Sequence, residues 1–332
     1  MIRRDFVRGV GVSAAVSVLG SAGSAPAAEG APETTKLTIA RDPSICPAPM
    51  YIAEELLKTE GFVDVRYVLM ASDQNIAQLV GSGRADVSMD TAQTLIIALD
   101  AGESIVLLGG VHVGCYELFA TPRLRTMRDL KGKTVAISQL RDDRHVLMAA
   151  ILTHVGLDPR KDILWVTHTA DDAMRRLAAG TIDSFLAFPP EPQELRAKKV
   201  GHVLLDTRTD RPWSQYFCCM LVGNREFVRK HPLATKRAMR AILKANALCA
   251  SEPERVARFL VERGYETTYD AAVRMLKEIP YARWRDYDPE DTARFYALRL
   301  REGGMINSSP QKLLAQATDW RFFNELKKEL KS

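Results

Sequence analysis

From Lys36 onward, short Val/Ile/Leu-rich runs alternate with stretches of helical period, and this alternation constrains the fold more than any other feature of the chain. Leu37 to Ala40, Val63 to Met70, Ala85 to Met89 and Ile105 to Leu108 read as strands, with helices between them at Pro49 to Lys58, Asp73 to Ser82 and Ala92 to Ala101. Short apolar runs punctuated by Gly and Asp, with helices between, are the pattern of parallel sheets covered on both faces. An extended piece, Val113 to Ala120, interrupts the rhythm, which then resumes. Strands are expected at Lys133 to Ser138, Ile163 to Thr167, Ser184 to Phe188 and His202 to Asp206, and helices at Arg144 to His154, Ala170 to Ala179 and Glu191 to Lys198. Two separate βα series imply two α/β lobes.

A second extended run, Tyr216 to Val222, closes the middle series, and the chain beyond it is helical. Pro232 to Ala250, Pro253 to Arg263, Thr268 to Glu278, Pro289 to Glu302, Pro310 to Ala317 and Asp319 to Lys331 each begin near Pro, Asp or Thr, as helices do. Such a terminal cluster must bury its apolar faces on a lobe already folded, and the first lobe is the natural support. A chain that leaves lobe one, builds lobe two and returns has two linkers, which restrict motion to hinge closure over a cleft. Ligands of open α/β sheets bind outside the carboxyl ends of strands, and both lobes would present those ends to the cleft.

Composition narrows the function classes. The 332 residues suffice for about two domains, and 46% hydrophobic with 26% charged residues is globular, not disordered, composition. The start of the chain reads as an export signal over residues 1–27: Arg3-Arg4-Asp5-Phe6-Val7, an apolar Gly/Ala/Ser/Val stretch, and small residues to Ala27 for cleavage. The paired arginines resemble the twin-arginine type, although Ile2 departs from that pattern and leaves general secretion open. A periplasmic location is expected. The net charge of +5 includes Arg3, Arg4 and Arg8 against Asp5, all in the signal, and the remainder is dispersed among acidic residues. A nucleic-acid footprint needs a concentrated basic stripe, so no nucleic-acid partner is expected.

Cleft candidates are the residues at strand carboxyl ends. In lobe one these are Ser44 and Cys46 in the loop after the first strand, and Asp90 and Thr91 after Met89; in lobe two they are Ser138, Gln139 and Arg141, then Phe188 and Glu191. Helix N-termini there favour an anionic head group. Ser44, Thr91 and Ser138 have two roles open, donating to a ligand or capping their own helices. Arg141 or Arg144 would either clamp an anion or pair with Asp142 or Asp143. Glu191 would accept from an amine or hydroxyl, or stabilise the first turn of its own helix. Trp213 and Tyr216, beside the returning linker, would stack on a cyclic ligand or pack beneath the hinge. The soft side chains Cys46, Met50, His112, Cys115, Cys218, Cys219 and Met220 gather on the linkers and near the pocket mouth. Soft ligands on facing strands could make a copper or zinc site, but without Cys-x-x-Cys or His-x-x-His spacing they are expected to be packing residues, and no metal, cofactor or catalytic residue is expected.

Four stretches carry a resemblance: Leu79 to Ser88 (LVGSGRADVS), Asp129 to Ile137 (DLKGKTVAI), Ala178 to Phe185 (AAGTIDSF) and Asn224-Arg225-Glu226-Phe227. In matching order over essentially the whole mature chain, they resemble the nitrate/sulfonate/taurine class of periplasmic substrate-binding proteins of ABC importers, which includes carriers of thiamine-pyrimidine precursors. The resemblance implies a two-lobed, type II periplasmic-binding-protein fold. It also implies capture of a small anionic or heterocyclic organic solute between the lobes, delivery to an inner-membrane permease, and a monomer. The expected divisions are 28–114 for the first part of lobe one, 115–219 for lobe two, and 220–332 for the return with the terminal helices. The second-lobe helix start departs from the sulfonate carriers, because Gln139-Leu140-Arg141-Asp142-Asp143-Arg144 is bulky and charged where they resemble Gly-Ser and small residues. The class also resembles a thiamine-pyrimidine synthase, which needs a lysine for pyridoxal phosphate and a histidine four residues later. Asp90 and Thr94 occupy those positions here, so that enzymatic alternative is disfavoured.

Overall fold

The computed structural model describes residues 29–42, 44–71, 74–265 and 268–331; the expected export signal lies outside the described residues. The first βα series forms β1 (Lys36–Arg41), α1 (Ala48–Ile52), α2 (Glu54–Thr59), β2 (Asp64–Leu69), α3 (Ile76–Gly81), β3 (Val87–Thr91), α4 (Ala92–Asp100) and β4 (Ile105–Val113). The second forms β5 (Glu117–Ala120), β6 (Lys133–Ile137), α5 (Asp143–His154), β7 (Ile163–Thr167), α6 (Ala170–Ala179), β8 (Ser184–Ala187), α7 (Glu191–Ala197) and β9 (His202–Asp206). The chain then returns through β10 (Phe217–Asn224). Every residue of β4 and of β10 is buried, but β4 runs on past Leu108, where the apolar run was read to end, because Gly109, Gly110 and His112 break the pattern without breaking the strand.

Each lobe is built on one five-stranded sheet, with order β2-β1-β3-β10-β4 in the first and β7-β6-β8-β5-β9 in the second. The sheets are mixed where the sequence pattern suggested parallel ones. β10 runs antiparallel to β3 and β4, and β5 runs antiparallel to β8 and β9. These are the strands that enter a sheet from the other lobe. The remaining strands point their carboxyl ends at the cleft, so a strand that starts at the cleft must run the other way.

The crossing segments are 114–116 and 207–216, and they are tied together. The Tyr116 N–H donates to Thr207 Oγ1 at 3.0 Å, and the Thr207 N–H donates to the Tyr116 carbonyl at 3.0 Å. Gly114 holds φ +58°, and a Cβ there would lie 2.5 Å from the Arg208 Cα, so only glycine permits this approach.

The motifs that carried the resemblance are scaffold devices. Gly83 and Gly180 take positive φ (76° and 70°) at helix ends. The Asp that follows each plays the same part in both lobes: Asp86 accepts the Thr38 N–H at 2.7 Å, and Asp183 accepts the Thr134 N–H at 3.0 Å and its hydroxyl at 2.7 Å. Asn224 caps α8 (Arg225–Lys230) by accepting from the Glu226 and Phe227 N–H groups, both at 3.0 Å, while its amide donates to the Val80 carbonyl at 2.8 Å.

The terminal helices are α9 (Pro232–Ser251), α10 (Pro253–Glu262), α11 (Tyr269–Glu278), α12 (Pro289–Glu302), α13 (Pro310–Ala317) and α14 (Arg321–Glu329). α9 covers α1 and α2 of the first lobe, as the sequence suggested, but α12 packs on both α4 and α5 and so touches both lobes.

Candidate functional site

The carboxyl ends of both sheets open on one cleft of about 700 Å³, within the size range of small-molecule sites. Of the expected contacts, Ser44, Cys46, Asp90, Thr91, Gln139, Arg141 and Phe188 line it. Ser138, Glu191, Trp213 and Tyr216 are not among its lining residues.

These four have definite structural roles. Glu191 is committed to Arg144 in a two-pronged ion pair, Oε2 to Nη1 at 2.6 Å and Oε1 to Nη2 at 2.8 Å, and it also accepts the Phe188 N–H at 2.9 Å. Arg144 further donates to the Leu186 carbonyl at 2.9 Å, so neither partner is available to a solute. Trp213 is buried, edge-on to His154 and Phe295, and Tyr216 stacks on Phe295 with ring centroids 4.0 Å apart. Both aromatics pack beneath the hinge against α12. Ser138 is exposed, and its N–H donates to Asp142 at 3.1 Å.

The cleft is acidic. Asp42, Asp90, Asp142, Asp143 and Glu103 line it, with Arg141 as the cation among the described lining residues. Asp142 is spent on the backbone, accepting from His145 at 2.7 Å to cap α5, and from Ser138 and Gln139. Asp143 accepts the Tyr116 hydroxyl at 2.6 Å. Asp42 holds the loop after β1 by accepting the Ser44 N–H at 2.8 Å and its hydroxyl at 2.6 Å. Among the described residues the Asp90 carboxyl receives one hydrogen bond, from the Thr91 N–H at 2.7 Å. Desolvation pushes the Asp90 carboxyl well above its ordinary value and raises Asp42 as well. Sequence reading passed over Asp42, Asp143 and Tyr116, although Asp42 and Asp143 stand in the loops it had singled out. Tyr116, tilted against Phe188 at 5.1 Å, supplies a cleft aromatic, and Trp213 and Tyr216 take the second of the two roles open to them, packing beneath the hinge.

Arg141 sits in the left-handed region at φ 70°, which is uncommon for a non-glycine residue. Its N–H donates to His145 Nδ1 at 2.8 Å, and the His145 ring lies edge-on to Trp165 at 4.7 Å. Burial lowers the His145 pKa, which favours the neutral imidazole that this acceptor role requires.

At the inner end of the cleft, Cys46, His112, Cys115 and Cys219 are all buried, and their donor atoms lie within 4.8 Å of one another. The Cys219 thiol is held well below the ordinary thiol value by hydrogen bonds from Cys115, Cys218 and Cys46, while burial pushes Cys46 and Cys115 up.

This arrangement of two lobes, two tied linkers and one cleft at the strand ends defines the class: it is the two-lobed periplasmic-binding-protein fold. The fold agrees with that of the alkanesulfonate-binding protein SsuA from Xanthomonas axonopodis pv. citri bound to MOPS, with a TM-score of 0.68 at 17% identity over 87% of this chain and 99% of that one. It also agrees with that of the periplasmic nitrate-binding protein NrtA from Synechocystis PCC 6803, with a TM-score of 0.70 at 16% identity over 91% and 90% of the two chains. Residues 47–256 match the sequence model of the NMT1/THI5-like family, and the chain belongs to that family. A curated relative, the bicarbonate-binding protein CmpA of Synechococcus sp., is 28% identical over 112 residues, which is 33% of this chain and 24% of that protein. The match thus spans about a quarter of the relative's length.

Proposed function

We propose that the protein is the periplasmic solute-binding component of an ABC importer, exported by the signal read in residues 1–27. In this reading it works as a monomer that closes its lobes, 28–114 with 220–332 against 115–219, over a small organic solute and delivers it to a membrane permease. The proposed contacts are Ser44, Cys46, Asp90, Thr91, Gln139, Arg141 and Phe188, to which the cleft adds Asp42, Tyr116 and Asp143. SsuA, NrtA and CmpA supply the analogy for the role, and the cleft supplies the chemistry.

The observation that carries the solute class is the concentration of carboxyl groups at Asp42, Asp90 and Asp143 in the cleft that also holds the Tyr116–Phe188 aromatic pair. A nitrate or sulfonate would find Arg141 as the cation among the described lining residues, and any of these carboxyls that ionises would repel it. A neutral or cationic heterocycle bearing an amine would donate to Asp90 and Asp143 and lie against the rings. Of the two solute types expected from the sequence, the heterocycle is therefore the one proposed.

The role is binding without catalysis. Asp90 stands where the related synthase needs its lysine, and Thr94 is occupied in a hydroxyl pair with Thr91 at 2.7 Å. A thermal-shift panel of aminopyrimidines, other amino-heterocycles, sulfonates, nitrate and aromatic carboxylates tests the proposal. At a hundredfold excess over Kd a single-site ligand stabilises by about 2.7 kcal/mol, so the matching class must raise the melting temperature. No shift across the panel would refute the solute-binding role.

A further inference from the structure

We propose that Cys46, His112, Cys115 and Cys219 form a site for one soft d10 metal ion, zinc(II) or copper(I), at the floor of the cleft where both linkers leave the first lobe. Cys46 is shared with the proposed solute contacts and Cys219 also lines the cleft, but the donor set is argued from its own geometry and does not depend on that reading.

Three separate segments converge to make it. Cys46 comes from the loop between β1 and α1, His112 from β4 with Cys115 just beyond it, and Cys219 from β10. Cys46 Sγ lies 3.2 Å from His112 Nε2, 3.2 Å from Cys115 Sγ and 3.5 Å from Cys219 Sγ, while Cys115 Sγ lies 3.7 Å from the other ring nitrogen, His112 Nδ1. A tetrahedral ion with metal–sulfur bonds of about 2.3 Å and metal–nitrogen bonds of about 2.0 Å needs donor atoms roughly 3.5 to 3.8 Å apart. The four donors lie within 4.8 Å of one another, close enough for shifts of the side chains to bring them round one tetrahedral ion. Three sulfurs and one imidazole form a donor set that prefers soft or borderline ions to magnesium or calcium.

The surroundings hold this set in place. The β4–β10 ladder changes register on both sides of Cys219, an irregularity that re-aims the side chain and sets Cys219 opposite His112. Gly114, in its positive-φ conformation, turns Cys115 back toward His112. Tyr281 donates to the Cys46 carbonyl at 3.0 Å, and its ring lies edge-on to the His112 imidazole at 5.1 Å. His112 Nδ1 lies 3.4 Å from the Val113 carbonyl, an outer partner for that nitrogen, and Nε2 faces Cys46 Sγ. Cys46 and Cys219 also line the cleft, which gives an ion a path of entry.

Purified protein, reduced and stripped with chelator, is titrated with zinc(II), with cobalt(II) as a spectroscopic stand-in, and separately with copper(I). One equivalent is expected to bind, with thiolate-to-cobalt charge-transfer absorption, intense tetrahedral ligand-field bands and a raised melting temperature. The zinc and copper arms decide between the two ions by competition with chelators of known affinity. Cys46→Ser and Cys219→Ser should abolish stoichiometric binding, while Cys218→Ser and Cys249→Ser should retain it. Because a cluster variant may fail to fold, alkylation of the wild-type thiols provides a second reading, in which metal must slow labelling of Cys46, Cys115 and Cys219. The proposal is overturned if no stoichiometric ion binds, if binding survives Cys46→Ser and Cys219→Ser, or if cobalt gives an octahedral spectrum.

Discussion

Replacing Glu191 by Ala removes one half of the Arg144–Glu191 pair and leaves the guanidinium facing protein. Both side chains are largely buried, 11% exposed for Arg144 and 13% for Glu191, and they meet through two short hydrogen bonds. The same substitution also frees the Phe188 N–H that Glu191 accepts. Removing one partner of a buried pair typically costs about 3 to 5 kcal/mol, and the residual water access places this case near about 3. For a chain of this size each kcal/mol lowers the melting temperature by roughly 2 °C, so a fall of about 6 °C is expected. The cost comes from the stranded charge, so the double variant Arg144→Met/Glu191→Leu should recover most of it. Calorimetric melting of both variants, with denaturant unfolding to obtain the coupling energy, is the assay. A Glu191→Ala protein that melts within 2 °C of wild type, or that keeps its stability and loses solute affinity, would refute the assignment of Glu191 to the scaffold.

Other positions give independent tests. A Cβ at Gly110 would lie 2.2 Å from the Phe217 ring, so Gly110→Ala should cost about 1 to 3 kcal/mol through displaced packing at the β4–β10 pair, read by denaturant unfolding. Trp213→Ala should destabilise by about 3 to 5 kcal/mol while leaving the Kd for a solute from the panel within a few-fold, because the ring packs on Phe295 and not in the cleft. His145 is lowered by burial, chiefly desolvation, so its neutral form stabilises the fold above the ordinary histidine value and that contribution is lost as the pH falls through the lowered folded value. Wild type should accordingly lose stability on acidification relative to His145→Asn, and superimposable pH profiles would contradict this.

Much of the fold was legible because buried strands are written as apolar runs. Ile163–Thr167, Ala170–Ala179, His202–Asp206, Pro289–Glu302 and Pro310–Ala317 appear with the bounds read from the sequence. Strand direction was not legible, because a buried run has the same composition whichever way it points, and β5 and β10 are reversed by their entry from the other lobe. Helix α8 was overlooked because its six residues are too few to show a helical period. In the cleft, strand-end logic found Asp90, Thr91 and Arg141 but could not show that Arg144 and Glu191 cancel each other across the end of β8. An aromatic residue near a linker does not reveal which side it faces, so stacking on a solute and packing beneath the hinge both stayed open for Trp213 and Tyr216, and Tyr116 was not singled out. The soft cluster carried one local signal, the His112-x-x-Cys115 spacing. Its other members, 66 residues before His112 in Cys46 and far beyond it in Cys219, are brought in by topology alone.

The central claim is that the acidic cleft takes an amine-bearing heterocycle. Titration calorimetry of the wild-type protein and an Asp90→Asn variant, using an aminopyrimidine and an alkanesulfonate as probes, tests it most directly. One-site binding of the aminopyrimidine, weakened at least tenfold by Asp90→Asn, with no binding of the sulfonate, is the predicted result. Sulfonate binding that is unchanged or improved by Asp90→Asn, with no aminopyrimidine binding, would contradict it.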